Sequence, residues 1–479
     1  MDNKQVYNPY LPTWEYIPDG EPHVFGDRLY IYGSHDRFGG KKFCMNDYVA
    51  WSAPVSNLAD WRYEGVIYKK TQDPRMPRGQ HEMWAPDVVR GKDGRYYLFY
   101  CPDDAVKSIG VAVCDTPAGR YMFHGVVRDS EGGIIGEREG DTIPFDPGVF
   151  IDDDGVIYLY SGNGPRTRSA IGREPKASTV MTLEDDMLTL KTEPKKLLPA
   201  LVEAEGTGFE GHEFFEASSI RRIRGKYYLV YSSVTLHELC YAVSDRPDGD
   251  YRYGGVIVSN CDLFPGEGGA PLCTYGNDHG GIECVDGRYY IFYHRQTNRT
   301  MFSRQGCAER IEILPDGSIP QVHITSCGLN GGALSGVGTY PASIACNLYG
   351  KQAPTISHPL AMGMRHPYIT QSGDDWSPEM GVEAPEQYIA NCKDGMTAVY
   401  KYFRFENAKS VSVTVRGSAG GRLLIKAAPE GAAISAVNIA PSKAWTTYSG
   451  ALNIRDGVSA LCFEYEGAGR FDFLKFTLE

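Results

Sequence analysis

No stretch of the chain approaches the roughly 18 apolar residues of a membrane-crossing helix. The opening residues, Met1-Asp2-Asn3-Lys4-Gln5-Val6-Tyr7-Asn8-Pro9, also lack the apolar core of an export signal. Both observations lead to the expectation of a cytoplasmic protein with no membrane partner. Basic residues are in the minority, with 48 Lys+Arg against 60 Asp+Glu and a formal net charge of −12. No Lys/Arg run builds a basic face, which argues against a nucleic-acid partner. The 12 cysteines are scattered and none forms Cys-x-x-Cys. Zinc and iron–sulfur frameworks need tight pairs, so the expectation is reduced, buried thiols. What the 479 residues hold in abundance is glycine (55) and tyrosine (32). That composition suits short strands and tight turns better than long helices.

One hairpin signature recurs five times. It reads Gly26-Asp27-Arg28-Leu29-Tyr30-Ile31-Tyr32, then Asp93-Gly94-Arg95-Tyr96-Tyr97-Leu98-Phe99-Tyr100, then Asp154-Gly155-Val156-Ile157-Tyr158-Leu159-Tyr160. The last two copies are Arg224-Gly225-Lys226-Tyr227-Tyr228-Leu229-Val230-Tyr231 and Asp286-Gly287-Arg288-Tyr289-Tyr290-Ile291-Phe292-Tyr293. The turn glycines are 68, 61, 70 and 62 residues apart. Each copy is a glycine turn feeding an aromatic, β-branched strand. A second strand signature, such as Tyr121-Met122-Phe123-His124-Gly125-Val126-Val127, follows several copies. Units of about four strands repeated at this period make an all-β, five-bladed β-propeller.

The strand before each hairpin is the innermost of its blade and lines the central channel. Aligned on their apolar pairs, these strands place Glu21, Ala85, Asp146, Glu216 and His279 in one column. Asp87 lies two residues along, on the same face by the period of a strand. Carboxylates gathered at one mouth must ionise in a coupled way. One protonated acid and one ionised base across a sugar is what glycoside hydrolysis requires. Trp84 is read as a platform for a sugar face, with a core position between blades as the alternative. His212, Arg295 and His294 flank the same strand ends as candidates for binding hydroxyls, with structural roles open for both histidines.

At these residues the sequence resembles glycoside hydrolase family 43, over about residues 8–340. The matching segments are Trp84-Ala85-Pro86-Asp87, Phe145-Asp146-Pro147-Gly148-Val149-Phe150 and Phe214-Phe215-Glu216-Ala217-Ser218-Ser219-Ile220. The resemblance implies a five-bladed catalytic propeller acting by inversion as an α-L-arabinofuranosidase or β-xylosidase on plant-derived oligosaccharides. It implies Glu216 as general acid and Asp146 as the carboxylate tuning it, with no cofactor required. It also implies His279 beside a structural calcium, held through water. The family's base is normally an aspartate, whereas this column holds Glu21 in Gly20-Glu21-Pro22-His23. Glu21 is the first reading for the base and Asp19 on a bent loop the alternative; an impaired base would leave a non-catalytic sugar-binding propeller. A different glycoside, such as a galactoside, stays open, as does the oligomeric state.

The hairpin repeat stops after about residue 325. Residues 326–360, rich in Gly, Ala and Ser, read as a linker or strap. Residues 361–479 alternate apolar and polar in runs such as Lys409-Ser410-Val411-Ser412-Val413-Thr414-Val415. That alternation predicts a β-sandwich of jelly-roll type. The stretch resembles a family 6 carbohydrate-binding module, with Trp445 either gripping sugar or sitting in the core.

Overall fold

The structure is a computed structural model. It describes residues 5–103, 108–167, 177–264, 266, 269–359 and 366–479. The five repeats form five antiparallel sheets, four of them four-stranded and built in simple up-and-down order. All five turn glycines adopt positive φ (66°, 83°, 82°, 82° and 74°). That is the left-handed conformation that glycine takes without steric cost. The innermost strands are Glu21–Phe25, Met83–Arg90, Gly148–Ile151, Phe214–Ile223 and Ile282–Val285. They touch one another in cyclic order, blade one to blade five and back. A parallel bridge between Gly20 and Gly280 closes the ring.

The apolar core of the propeller is divided into wedges between adjacent blades. Tyr30, Tyr32 and Tyr48 of blade one pack with Val88, Leu98 and Tyr100 of blade two, and equivalent groups fill the remaining seams. The hairpin aromatics recur because each supplies half a wedge. Blade five differs from the expected pattern in having three strands. Its outer edge is covered by the N-terminal segment. The Tyr10 amide donates to the Gly306 carbonyl at 3.3 Å, and the Asn8 side chain bonds both the amide and the carbonyl of Ala308 at 3.0 and 2.9 Å. The first and last blades are thereby laced together.

The C-terminal part is a sandwich of two six-stranded sheets around one apolar core. Here the linker reading of residues 326–360 needs correction. Leu334–Ser335 pairs with Phe403 and Arg404, Gly338–Pro341 with the final strand, and Asn347–Tyr349 with Thr397–Val399. These are short strands of the sandwich whose glycines masked them. Gly336 is required because a Cβ there would stand 2.4 Å from the Arg404 carbonyl oxygen. The boundary drawn near residue 360 lies outside the described residues. Trp445 is outside the core: it is half-buried beside Tyr388, with the Arg416 guanidinium 4.3 Å from its ring centre. Among the described residues no helix is long and apolar enough to cross a membrane.

The two parts meet through charge as well as apolar contact. The Lys401 ammonium bonds Asp262 at 2.5 Å, and both side chains are largely buried. Asp262 also receives the Asn347 amide at 3.1 Å. Removing one partner of a buried pair strands the other charge. Lys401→Met is therefore expected to lower the unfolding free energy by roughly 3–5 kcal/mol, read from urea melts of the full chain.

Candidate active site

At one end of the channel all five blades contribute to a pocket of about 130 Å³. Asp19 comes from the loop entering blade one, and Phe43 and Cys44 from a later loop of that blade. Blade two supplies Trp84, blade three Phe145 and Asp146, and blade four Glu216. Asn277, His279 and Arg304 complete the wall from blade five. Three non-glycine residues with positive φ mark the acids: Asp19 (55°), Asp146 (46°) and Ala217 (71°), the last directly after Glu216. Aspartate tolerates this region, but alanine there costs roughly 1–2 kcal/mol. Such strain persists where the surrounding structure over-determines it.

Arg304, only 2% exposed at its side chain, organises one wall. Its Nε and Nη2 donate to Asp36 at 2.9 and 3.1 Å, and its Nη1 donates to Asp19 Oδ1 at 2.9 Å. Burial, the largest single effect, would raise the Asp19 carboxyl; the Arg304 guanidinium, His294, His279 and a Ser34 hydrogen bond together outweigh it and hold Asp19 below the ordinary carboxylate range. Asp19 is thus an ionised carboxylate at neutral pH. The Asp19 amide also donates to His294 Nδ1 at 3.3 Å, while His294 Nε2 donates to the Asn277 carbonyl at 2.6 Å. Burial pushes His294 down to about 3, so it serves as a neutral spacer.

Asp146 behaves oppositely. Burial first, and the charge of Glu216 second, push its carboxyl well above the ordinary range. Asn163 Nδ2 donates to Glu216 Oε2 at 3.1 Å. His279 Nδ1 lies 3.5 Å from Asp146 Oδ2, and burial lowers this imidazole, keeping it neutral. One ionised carboxylate, and one carboxyl that holds its proton more tightly than usual beside a second acid, therefore share a pocket. Two buried polar atoms of its lining residues, Trp84 Nε1 and Asn277 Oδ1, have no hydrogen-bond partner among the described residues. Trp84 packs edge-on against Phe145 at 5.2 Å.

The remaining sequence candidates lie elsewhere. Glu21 is not a pocket residue. It accepts from Ser219 Oγ at 2.7 Å and pairs with Arg221 Nη1 at 2.9 Å. Of the two carboxylates the sequence left open for the base, Asp19 lines the pocket. Asp87 is also displaced from the pocket, because one more step along the strand carries it deeper into the channel. There it binds His23 at 2.7 Å and accepts the Val149 amide at 2.7 Å, tying blade two to blade three. His212 pairs with Glu238 at 2.9 Å and stacks on Tyr253. Arg295 faces away from the pocket, donating to the Ser343 carbonyl and to Gln305. Arg304, absent from the sequence candidates, opposes Gln296 in the same hairpin. The two-residue period of strands puts Arg304 on the face of His294 and turns Arg295 to the other. The alternation was the available signal.

Calcium takes six to eight oxygen ligands. Glu21, His23 and Asp87 bring one ligand atom each within 4.8 Å of the others, but Arg221 already neutralises Glu21 and backbone amides occupy Asp87. This donor set does not fit calcium, and His279 is no part of it.

Residues 16–319 match the family described as glycosyl hydrolases family 43. The chain belongs to that family. It is 50% identical to a xylosidase/arabinosidase of Thermoclostridium stercorarium, over 99% of each chain. It is 31% identical to a xylosidase/arabinosidase of Bacteroides ovatus, over 60% of this chain and 87% of that one. Among solved structures, a family member from Xanthomonas citri complexed with xylotriose is similar at a TM-score of 0.53 and 27% identity, covering 67% of this chain and 94% of that chain. An arabinoxylan arabinofuranohydrolase from Bacillus subtilis shares the fold over 98% of this chain and 97% of its own, at TM-score 0.51 and 20% identity. This glycosyl hydrolase therefore has family members matching both its propeller alone and its full two-part architecture.

Removing Arg304 isolates two buried carboxylates. Asp19, held low in the folded state, contributes stability that is present above its unfolded value of about 3.9 and is lost as pH falls through its lower folded value. Arg304→Met is expected to abolish that contribution. Urea midpoints measured across acidic and neutral pH should then rise less steeply with pH in the variant than in the parent.

Proposed function

We propose that this glycosyl hydrolase removes arabinofuranosyl or xylosyl units from short plant-derived oligosaccharides with inversion at the anomeric carbon. The observation that carries this reading is the meeting, in one pocket, of Asp19 held low by Arg304 with Asp146 held high by burial and by Glu216. The names of the relatives favour the two pentose sugars. Asp19 is assigned the general base, taking a proton from water as it attacks the anomeric carbon. Glu216 is assigned the general acid, giving its proton to the departing glycosidic oxygen. Asp146 tunes it as the other half of a coupled pair: the two carboxyls compete for one proton, and Glu216 is the member placed to give it up. Room for the attacking water sets a base–acid separation of roughly 6.5–9.5 Å in inverting enzymes. The unpaired Trp84 Nε1 donor and Asn277 Oδ1 acceptor suit the hydroxyls of a sugar, and His279 stands beside them as a neutral partner. No step requires a metal or organic cofactor.

Positioned acids and bases each contribute about 10²–10⁴-fold. Asp19→Asn and Glu216→Gln are expected to lose activity in that range on unactivated disaccharides, with Glu216→Gln spared on aryl glycosides with good leaving groups. Glu21→Gln should keep most of its turnover if it folds. The reverse pattern, with Glu21→Gln inactive and Asp19→Asn active, would return the base to Glu21. Proton NMR of the first-formed sugar is expected to show the anomer opposite to the substrate; retention would reject the mechanism.

A further inference from the structure

The pocket wall formed by Phe43 and Cys44 belongs to the blade-one loop of residues 37–46, and this loop is held from outside the propeller. Asp375, in the sandwich segment 372–386, accepts the Phe38 amide on Oδ1 at 2.8 Å and the Asn46 side-chain amide on Oδ2 at 2.9 Å. One carboxylate thereby fastens both ends of the loop. Asn46 passes the constraint inward, bonding the Asp36 carbonyl at 3.2 Å and Arg37 Nε at 3.0 Å. At the tip, the Arg304 guanidinium lies 4.7 Å from the Phe43 ring centre, and the Cys44 amide donates to Asp36 at 2.9 Å. The sandwich segment is itself fixed at both ends, because Tyr16 Oη donates to Gln371 and accepts from Gln387, each at 2.8 Å.

We infer that the C-terminal sandwich is a working part of the active site, and that Asp375 is a positioning residue for sugar binding, acting through the 37–46 loop on Phe43. The inference rests on the glycosidase reading for its substrate, but the bonds that carry it lie outside the pocket. Asp19 and Arg304 bond each other directly and His294 holds the Asp19 amide, so loss of Asp375 loosens the wall that a sugar packs against more than it disturbs the acids.

The test compares the full-length parent with Asp375→Ala and with Glu379→Gln. Glu379 lies on the same sandwich segment but meets the propeller at the Tyr63 hydroxyl, at 2.9 Å, away from the 37–46 loop, and so serves as a docking control. Hydrogen exchange should quicken about tenfold or more across residues 37–46 in Asp375→Ala, as a local opening becomes easier. KM for nitrophenyl arabinofuranoside or xyloside should rise roughly tenfold or more, with kcat changing less, because misplacing a pocket wall by an ångström can cost up to about 10²-fold. Glu379→Gln should leave both readouts within about twofold of the parent, as expected of an exposed contact. Unchanged exchange in Asp375→Ala overturns the inference, as does faster exchange with unchanged KM, or an equal rise of KM in Glu379→Gln. A parent chain that hydrolyses neither glycoside rejects the glycosidase reading instead. Xylose and arabinose affinities by calorimetry then replace KM: weaker binding in Asp375→Ala alone supports the inference, and equal binding or none in the parent overturns it.

Discussion

The buried guanidinium of Arg304 sits at the point on which the active end of the channel depends. It is carried by blade five and answered by Asp36 and Asp19 of blade one, across the seam where the ring closes. A charge so deeply buried is tolerable only when paired and hydrogen-bonded. The same contact therefore aligns the first and last blades and keeps Asp19 ionised. Closure of the propeller and ionisation of Asp19 are one electrostatic arrangement.

The channel sorts its carboxylates by what stands beside them. Deep in the ring, Glu21 meets Arg221 and Ser219, and Asp87 meets His23 and a backbone amide of the next blade. These groups have their valences filled and act as ties between blades. Near the mouth, Asp19 has one strong cationic partner, while Asp146 has a neutral histidine and an acidic neighbour. Opposite shifts in proton affinity follow from opposite neighbours, without any difference in residue type. Membership in glycosyl hydrolase family 43 gives this sorting its chemical sense.

The sandwich changes character in the same light. Its buried Lys401–Asp262 pair and its Tyr16 and Asp375 contacts join it to the propeller through polar groups. A flexible tether would leave such groups solvated. A sheet tied to the propeller by such buried contacts has little freedom to move as a separate body.

The chain by itself determined the repeat and therefore the ring, because every blade must present the same glycine turn and the same half-wedge of aromatics to its neighbours. Phe145-Asp146-Pro147 and the Phe214-Phe215-Glu216 segment were legible for the same reason: position within a repeat is a one-dimensional property. Tertiary structure alone put Asp19, and not Glu21, in the pocket wall. Two residues of separation turn into different depths along the channel, and a left-handed residue at Asp19 ends the strand's regular alternation. It alone also selected Arg304 over Arg295, and disclosed Asp375, 329 residues from Asn46. Partners that distant share no pattern in sequence; what joins them is the need of a buried or half-buried charge for a counterpart, and only the folded chain shows which counterparts are within reach.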